Sequence, residues 1–206
     1  MARRSKPGGR LPDKGRPLMG RAVNTRPVQP RFLIVCEGKK TEPNYFRSFR
    51  VNAKVEVVGL GDNTLSLVRQ TCELMRQDDY AQVWCVFDRN SFPAEQFNAA
   101  LDLARQNHIR VAYSNEAFEL WYLLHFDYCN TAVSRSQYCD MLAHRLGFLY
   151  RKNDLNMYDR LVERQPTAIE NARRLLDFYG EAHNPECDNP CTTVHQLVQE
   201  LNRYIR

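Results

Sequence analysis

Arg31-Phe-Leu-Ile-Val-Cys36-Glu37 and Val83-Trp-Cys-Val-Phe87-Asp88 share one layout: five consecutive apolar residues that stop at an acid. An apolar run of this length without alternation marks a strand covered on both faces, as in a parallel sheet. Val55-Glu-Val-Val-Gly59 and Ile109-Arg-Val-Ala-Tyr113 read as two further strands. Between them lie helical patterns. One follows Thr41, a candidate N-cap, has Pro43 in its first turn and runs to about Val51. A second spans 64–77, with Leu65, Val68, Cys72 and Met75 at helical spacing. A third covers 93–107, with Phe97, Ala100, Leu101 and Ala104 inward, and a fourth is expected over 116–126, capped by Ser114-Asn115. Strands alternating with helices predict an α/β fold: a mostly parallel sheet flanked by helices on both faces.

Past residue 130 the strand signals stop. Gln137–Leu146, Met157–Arg164 and Ala168–Tyr179 look helical, and Thr192–Ile205 carries Val194, Leu197, Val198, Leu201 and Ile205 on one stripe. The expected organisation is therefore a tail over 1–30, an α/β domain over 31–130, and a C-terminal helical subdomain over 131–206 whose last helix packs back on the sheet.

Charge is distributed unevenly. The chain is +5 overall, and residues 1–30, which hold eight Lys/Arg and one Asp, account for more than that total. This segment is rich in Pro and Gly and poor in aliphatic residues, so disorder is expected. Its basicity suits either a solvating tail or an arm that touches phosphates. No apolar run is long enough to cross a bilayer, and no signal-peptide core follows the N-terminus, so a soluble cytoplasmic protein is expected. Seven Cys, an odd number without a secretory signal, argue against a disulfide framework, and Cys36 and Cys85 read as small buried hydrophobes. His183, Cys187, Cys191 and His195 recur every four residues and are zinc-ligand types, but Pro185 and Pro190 forbid one helix through them and the two-residue knuckle spacing is missing.

In parallel sheets ligands bind at the carboxyl ends of the strands. The polar residues there are Glu37, Asp88 with Asn90, and Ser114 with Asn115. Phosphodiester chemistry needs developing negative charge stabilised and a nucleophile activated. Mg²⁺ or Mn²⁺ held by carboxylate and other oxygen ligands supplies both. Glu37 and Asp88, on separate strand ends, are placed to build such a site, and Lys39 and Lys40 add positive charge in the loop after Glu37. Arg89 and Asn115 are further candidates for contact with nucleic acid. Asn115 and Glu119, four apart, are expected on one helix face, where Glu119 supplies either a further ligand or an ordinary first-turn acid. His125 is a candidate acid or base, or else a structural hydrogen-bonder. Glu42 either flanks the site or is a first-turn acid, and Gly59-Leu-Gly61 reads as a tight turn.

Three stretches carry a family resemblance in order: Glu37-Gly38-Lys39-Lys40-Thr41-Glu42-Pro43-Asn44-Tyr45-Phe46, then Val83 through Asn90, then Ser114-Asn115-Glu116-Ala117-Phe118 through Phe126. Asn189-Pro190-Cys191-Thr192-Thr193-Val194-His195 joins them at the C-terminal end. Together they resemble the RloB-like family over roughly residues 31–205. The resemblance implies a Toprim-like fold, a role in bacterial anti-phage defence, often beside an ATPase partner, and metal-dependent nuclease activity. It implies acid/base work for Glu37 and metal binding for Asp88. The second Asp of the Toprim Asp-x-Asp pair is Asn90 here. A neutral amide oxygen still coordinates Mg²⁺ but offsets less charge, and a simple loop cap is an equal reading of Asn90. The functions in play are a Mg²⁺-dependent endonuclease on RNA (tRNA included) or DNA, a non-catalytic nucleic-acid-binding or ATPase-partner subunit, and a nucleotidyl-transferring Toprim protein. A homo-oligomer is among the assemblies considered.

Overall fold

The computed structural model describes residues 29–89 and 93–205. Expectations that fall on residues 1–28 and on Asn90, the basic tail and the Asp-to-Asn position, lie outside the described residues.

Four parallel strands form in the expected places: β1 (Arg31–Cys36), β2 (Lys54–Gly59), β3 (Gln82–Asp88) and β4 (Arg110–Asn115). The sheet order is β2-β1-β3-β4-β5, where β5 is Cys191–Thr192, antiparallel to β4 through Ser114↔Thr192 and Asn115↔Cys191. β1 and β3 are central, which is why their apolar residues run unbroken. β2, at the edge, alternates exposed Lys54 and Glu56 with half-buried Val55 and Val57. Arg47 covers part of this edge by donating from Nη2 to the Val57 carbonyl at 2.8 Å.

Alternate residues of each strand point to opposite faces. Leu33, Val35, Val83, Cys85, Phe87 and Tyr113 pack with Leu67 and Val68 of α2 (Thr64–Leu74) and with Phe97, Ala100 and Ala104 of α3 (Ala94–Gln106). Phe32, Ile34, Cys36, Trp84, Val86 and Ala112 face the other way. They meet α1 (Thr41–Arg47), α4 (Glu119–Leu123) and the C-terminal helices α5 (Arg135–Leu146), α6 (Met157–Leu161), α7 (Gln165–Tyr179) and α8 (Val194–Asn202). The C-terminal helices thus share one hydrophobic cluster with the sheet. Each fully buried large side chain in it contributes about 1.5–3 kcal/mol.

Several local expectations change. Strands do not end at residue 113: β5 is two residues long, too short for any hydrophobic period to reveal. Ser114 and Asn115 cap no helix. They complete β4, and their partners lie in the chain around β5: Ser114 Oγ is 3.0 Å from Thr192 Oγ1, and Asn115 Nδ2 donates to the Asp188 carbonyl at 2.9 Å. The helix expected over 116–126 is regular only over Glu119–Leu123, so Asn115 and Glu119 do not share a helix face. Thr41 is not the N-cap of α1, a position taken by Lys40. The Thr41 hydroxyl donates instead to the carbonyl of Lys152, 111 residues away, at 2.7 Å. α5 begins with a capping box between Ser134 and Gln137, which fixes where the helical segment leaves the sheet.

Candidate active site

Glu37 follows β1 directly. Its N–H donates to the Val86 carbonyl at 2.8 Å, and its carbonyl accepts from Gly61 N–H at 2.8 Å, so its backbone is held from β3 and from the end of β2. Its carboxylate accepts the Asp88 N–H at 3.2 Å, which brings the Glu37 side chain to the end of β3. Gly61 has φ +69°, as a tight turn requires, and the Lys39 side chain lies where a Cβ at Gly61 would stand. Gly38 in the same way leaves room for the Glu42 carboxylate.

These residues line one cavity of about 580 Å³ at the carboxyl ends of β1 and β3. Glu37, Glu42, Asp88 and Glu119 all reach it, as do Lys39, Lys40, Arg135 and Lys152. The acids lie deeper: Glu42 and Glu119 are 6% and 2% exposed. The cations sit nearer the mouth, with Arg135 and Lys152 side chains 39% and 51% exposed. Arg135 Nη2 pairs with Asp88 Oδ2 at 3.2 Å, and Lys152 Nζ pairs with Glu119 Oε1 at 3.2 Å. The Tyr150 hydroxyl also donates to Glu119 Oε1, at 3.3 Å.

The crowding of carboxylates shows in their proton affinities. Burial, with help from Glu119 and Glu37, pushes Glu42 up to about 7, against the pull of two backbone N–H bonds. Burial and then Glu42 raise Asp88 well above the ordinary carboxylate range, and Arg135 opposes this.

Other candidates go elsewhere. The Arg89 guanidinium lies 5.7 Å from the Phe97 ring, on the α3 face of the sheet and outside the cavity lining. Asn115 is bound to the loop before β5. His125 is buried, with Nδ1 2.9 Å from the Trp121 carbonyl, and burial lowers it to about 4. It stacks edge-on against Trp121 and takes no part in the cavity. His183 Nδ1 lies 2.6 Å from Asp188 Oδ2, and its Nε2 2.6 Å from the Tyr113 hydroxyl. Both ring nitrogens are therefore committed to hydrogen bonds.

Sequence reading missed Arg135, Tyr150 and Lys152 and left Glu42 open. Glu42 carried a signal, because it sits four residues after a glycine at a strand end. The other three come from α5 and the α5–α6 loop, and their approach depends on tertiary packing alone.

The donor set fits a hard divalent cation in kind, since it consists of buried and half-buried carboxylate oxygens gathered in one cavity. Among the described residues, however, no three His, Cys, Asp or Glu side chains converge as a ready-made ligand set. Mg²⁺ is commonly held by one or two carboxylates with water and substrate phosphate completing the shell, and this arrangement allows that mode.

The family model for RloB-like proteins matches residues 32–201. The chain belongs to the RloB-like family. No curated protein and no solved structure matches it. In this RloB-like chain the matched segment contains every residue lining the cavity. No described helix is long and apolar enough to cross a membrane.

Proposed function

We propose that this RloB-like protein is a metal-dependent phosphodiesterase that cleaves nucleic acid, RNA or DNA, as an effector of anti-phage defence. The observation that carries the chemistry is the layering of the cavity: buried and half-buried acids beneath, more exposed cations at the mouth. A phosphate that enters meets Lys39, Lys40, Arg135 and Lys152 first, which suits an anionic backbone. Glu37 and Asp88 would hold Mg²⁺ or Mn²⁺. When bound, the ion would offset charge on the phosphate and lower the pKa of a water molecule. Glu37 holds or releases a proton beside the scissile bond, the role its motif implies. Asp88, paired with Arg135 and joined to Glu37 through its backbone, sets the spacing of the two acids. The defence role and an ATPase partner rest on the family resemblance.

Purified protein incubated with total tRNA, rRNA and plasmid, with and without Mg²⁺ and Mn²⁺, tests the reading on a gel. Metal-dependent cleavage lost in Glu37→Gln and Asp88→Asn is the expected result. Intact nucleic acid with every substrate and metal would overturn it. A second reading has its own support: Arg135 on Asp88 and Lys152 on Glu119 neutralise two of the four acids, as suits a subunit that binds without cutting. Binding without cleavage, indifferent to Asp88→Asn, is its signature.

A further inference from the structure

The α5–α6 loop, residues 147–156, presents two different sides. Lys152 turns into the acidic cavity, and both it and the buried Tyr150 reach Glu119. The Lys152 carbonyl, accepting from Thr41, ties the loop to the start of α1. Phe148, Leu149, Arg151 and Asn153 line a second cavity of about 370 Å³, closed by Asp154 and Arg160. Leu149 is 71% exposed, and Leu155 on the same loop is 67% exposed. The Arg160 guanidinium lies 4.6 Å from the centroid of the Phe148 ring, and its Nε is 3.6 Å from Asp154 Oδ2.

We infer that this second cavity is a nucleobase subsite, which takes an unpaired base of the same single-stranded nucleic acid whose phosphate enters the acidic cavity. The inference deepens the proposed function and rests on that reading for the identity of the strand. Three observations support it. A planar guanidinium over an aromatic ring, next to an exposed aliphatic side chain, makes the flat, partly apolar wall on which bases stack without sequence preference. The exposed Arg151 and Arg160 suit the phosphates flanking such a base, and Asn153 has both a donor and an acceptor for its edge. Residues 148 and 152 are four apart, so at most about 14 Å of chain separates the stacking wall from the lysine at the cleavage cavity. A base must leave its helix to enter, so single strands are selected over duplex. A protein partner would be drawn by Leu149 and Leu155 alone. It would have no use for a loop whose opposite side carries Lys152 into a phosphate site.

The test is fluorescence anisotropy with the full chain in EDTA, so that binding is read without cutting. The probes are a short mixed-sequence single-stranded oligonucleotide, as RNA and as DNA, and the matching duplex. Leu149→Ser and Arg151→Gln change exposed side chains, so the fold is kept. Both variants should bind the single strand roughly fivefold to tenfold more weakly, with duplex binding unchanged. Arg151→Gln should also flatten the salt dependence by about one counterion, whereas Leu149→Ser should leave it alone. Parental single-strand affinity in either variant, an equal loss on duplex, or no oligonucleotide binding by the parent would overturn the inference. Failure of the cleavage reading is told apart by Mg²⁺ and Mn²⁺ reactions on a gel. A parent that binds through this loop but never cuts keeps the subsite and loses only the nuclease.

Discussion

Replacing Glu42 by Gln should make the metal-free protein more stable, and only above mildly acidic pH. Glu42 is buried among Glu37, Asp88 and Glu119, and its carboxyl is raised from 4.5 to about 7. The unfolded chain gives up this proton near 4.5, whereas the folded chain keeps it to about 7. Between those values the native state binds the extra proton, so its stability falls as pH rises through the window and levels off above it. At about 1.4 kcal/mol per pH unit, the full loss is roughly 3 kcal/mol. Glutamine has the same shape and cannot ionise, so the variant escapes that loss. The gap between variant and parent should be smallest near pH 4.5 and should widen by roughly 3 kcal/mol by pH 7.5. For a chain of this size that corresponds to a difference of roughly 6–12 °C in Tm. Any hydrogen bond lost with the carboxylate shifts the whole curve by a constant and leaves its slope intact. The assay is urea unfolding followed by circular dichroism in EDTA at half-unit steps of pH. A gap that stays flat across the range would show that Glu42 ionises normally in the folded protein, and the account of the crowded cavity would fail.

Other outcomes follow from the same geometry. Arg135→Ala removes the cation that neutralises Asp88. A partly exposed pair of this kind is worth about 1 kcal/mol, so the Mn²⁺ concentration at half-maximal thermal stabilisation should drop by about fivefold. An unchanged midpoint would mean that Asp88 does not face the ion. Phe118→Ala opens a void among Tyr45, Phe46 and Tyr122, whose ring centroids lie 5.9, 6.0 and 5.3 Å away, and should cost about 3–5 kcal/mol in urea unfolding. A loss below about 1 kcal/mol would show that this aromatic cluster repacks freely.

The parts of this fold that could be read from the chain are those where burial leaves a local mark. β1 and β3 are enclosed on both faces, and their unbroken apolar runs announce it, together with the acids at their ends. Ser114-Asn115 misled for a physical reason: short polar residues before an apolar stretch suit a helix cap, yet here they pair with β5, whose two residues carry no period. Glu37, Lys39 and Lys40 come from the same loop, so their shared cavity follows from sequence proximity. Arg135 and Lys152 stand 47 and 33 residues along the chain from the acids they meet, Asp88 and Glu119. Nothing local to either residue marks it as more than a surface cation, because the pairing depends on how α5 and its following loop settle against the sheet.

The outer border of β2 bears on how copies of this chain can associate. Its exposed Lys54 and Glu56, and the Arg47 guanidinium bonded to the Val57 carbonyl, leave a poor template for another strand to extend the ladder. At the opposite border, the brief antiparallel β5 leaves little backbone to recruit a newcomer. Self-assembly through a continuous intermolecular sheet is thus disfavoured at both ends, and a multimer of this chain would draw on surfaces other than the two borders of its sheet.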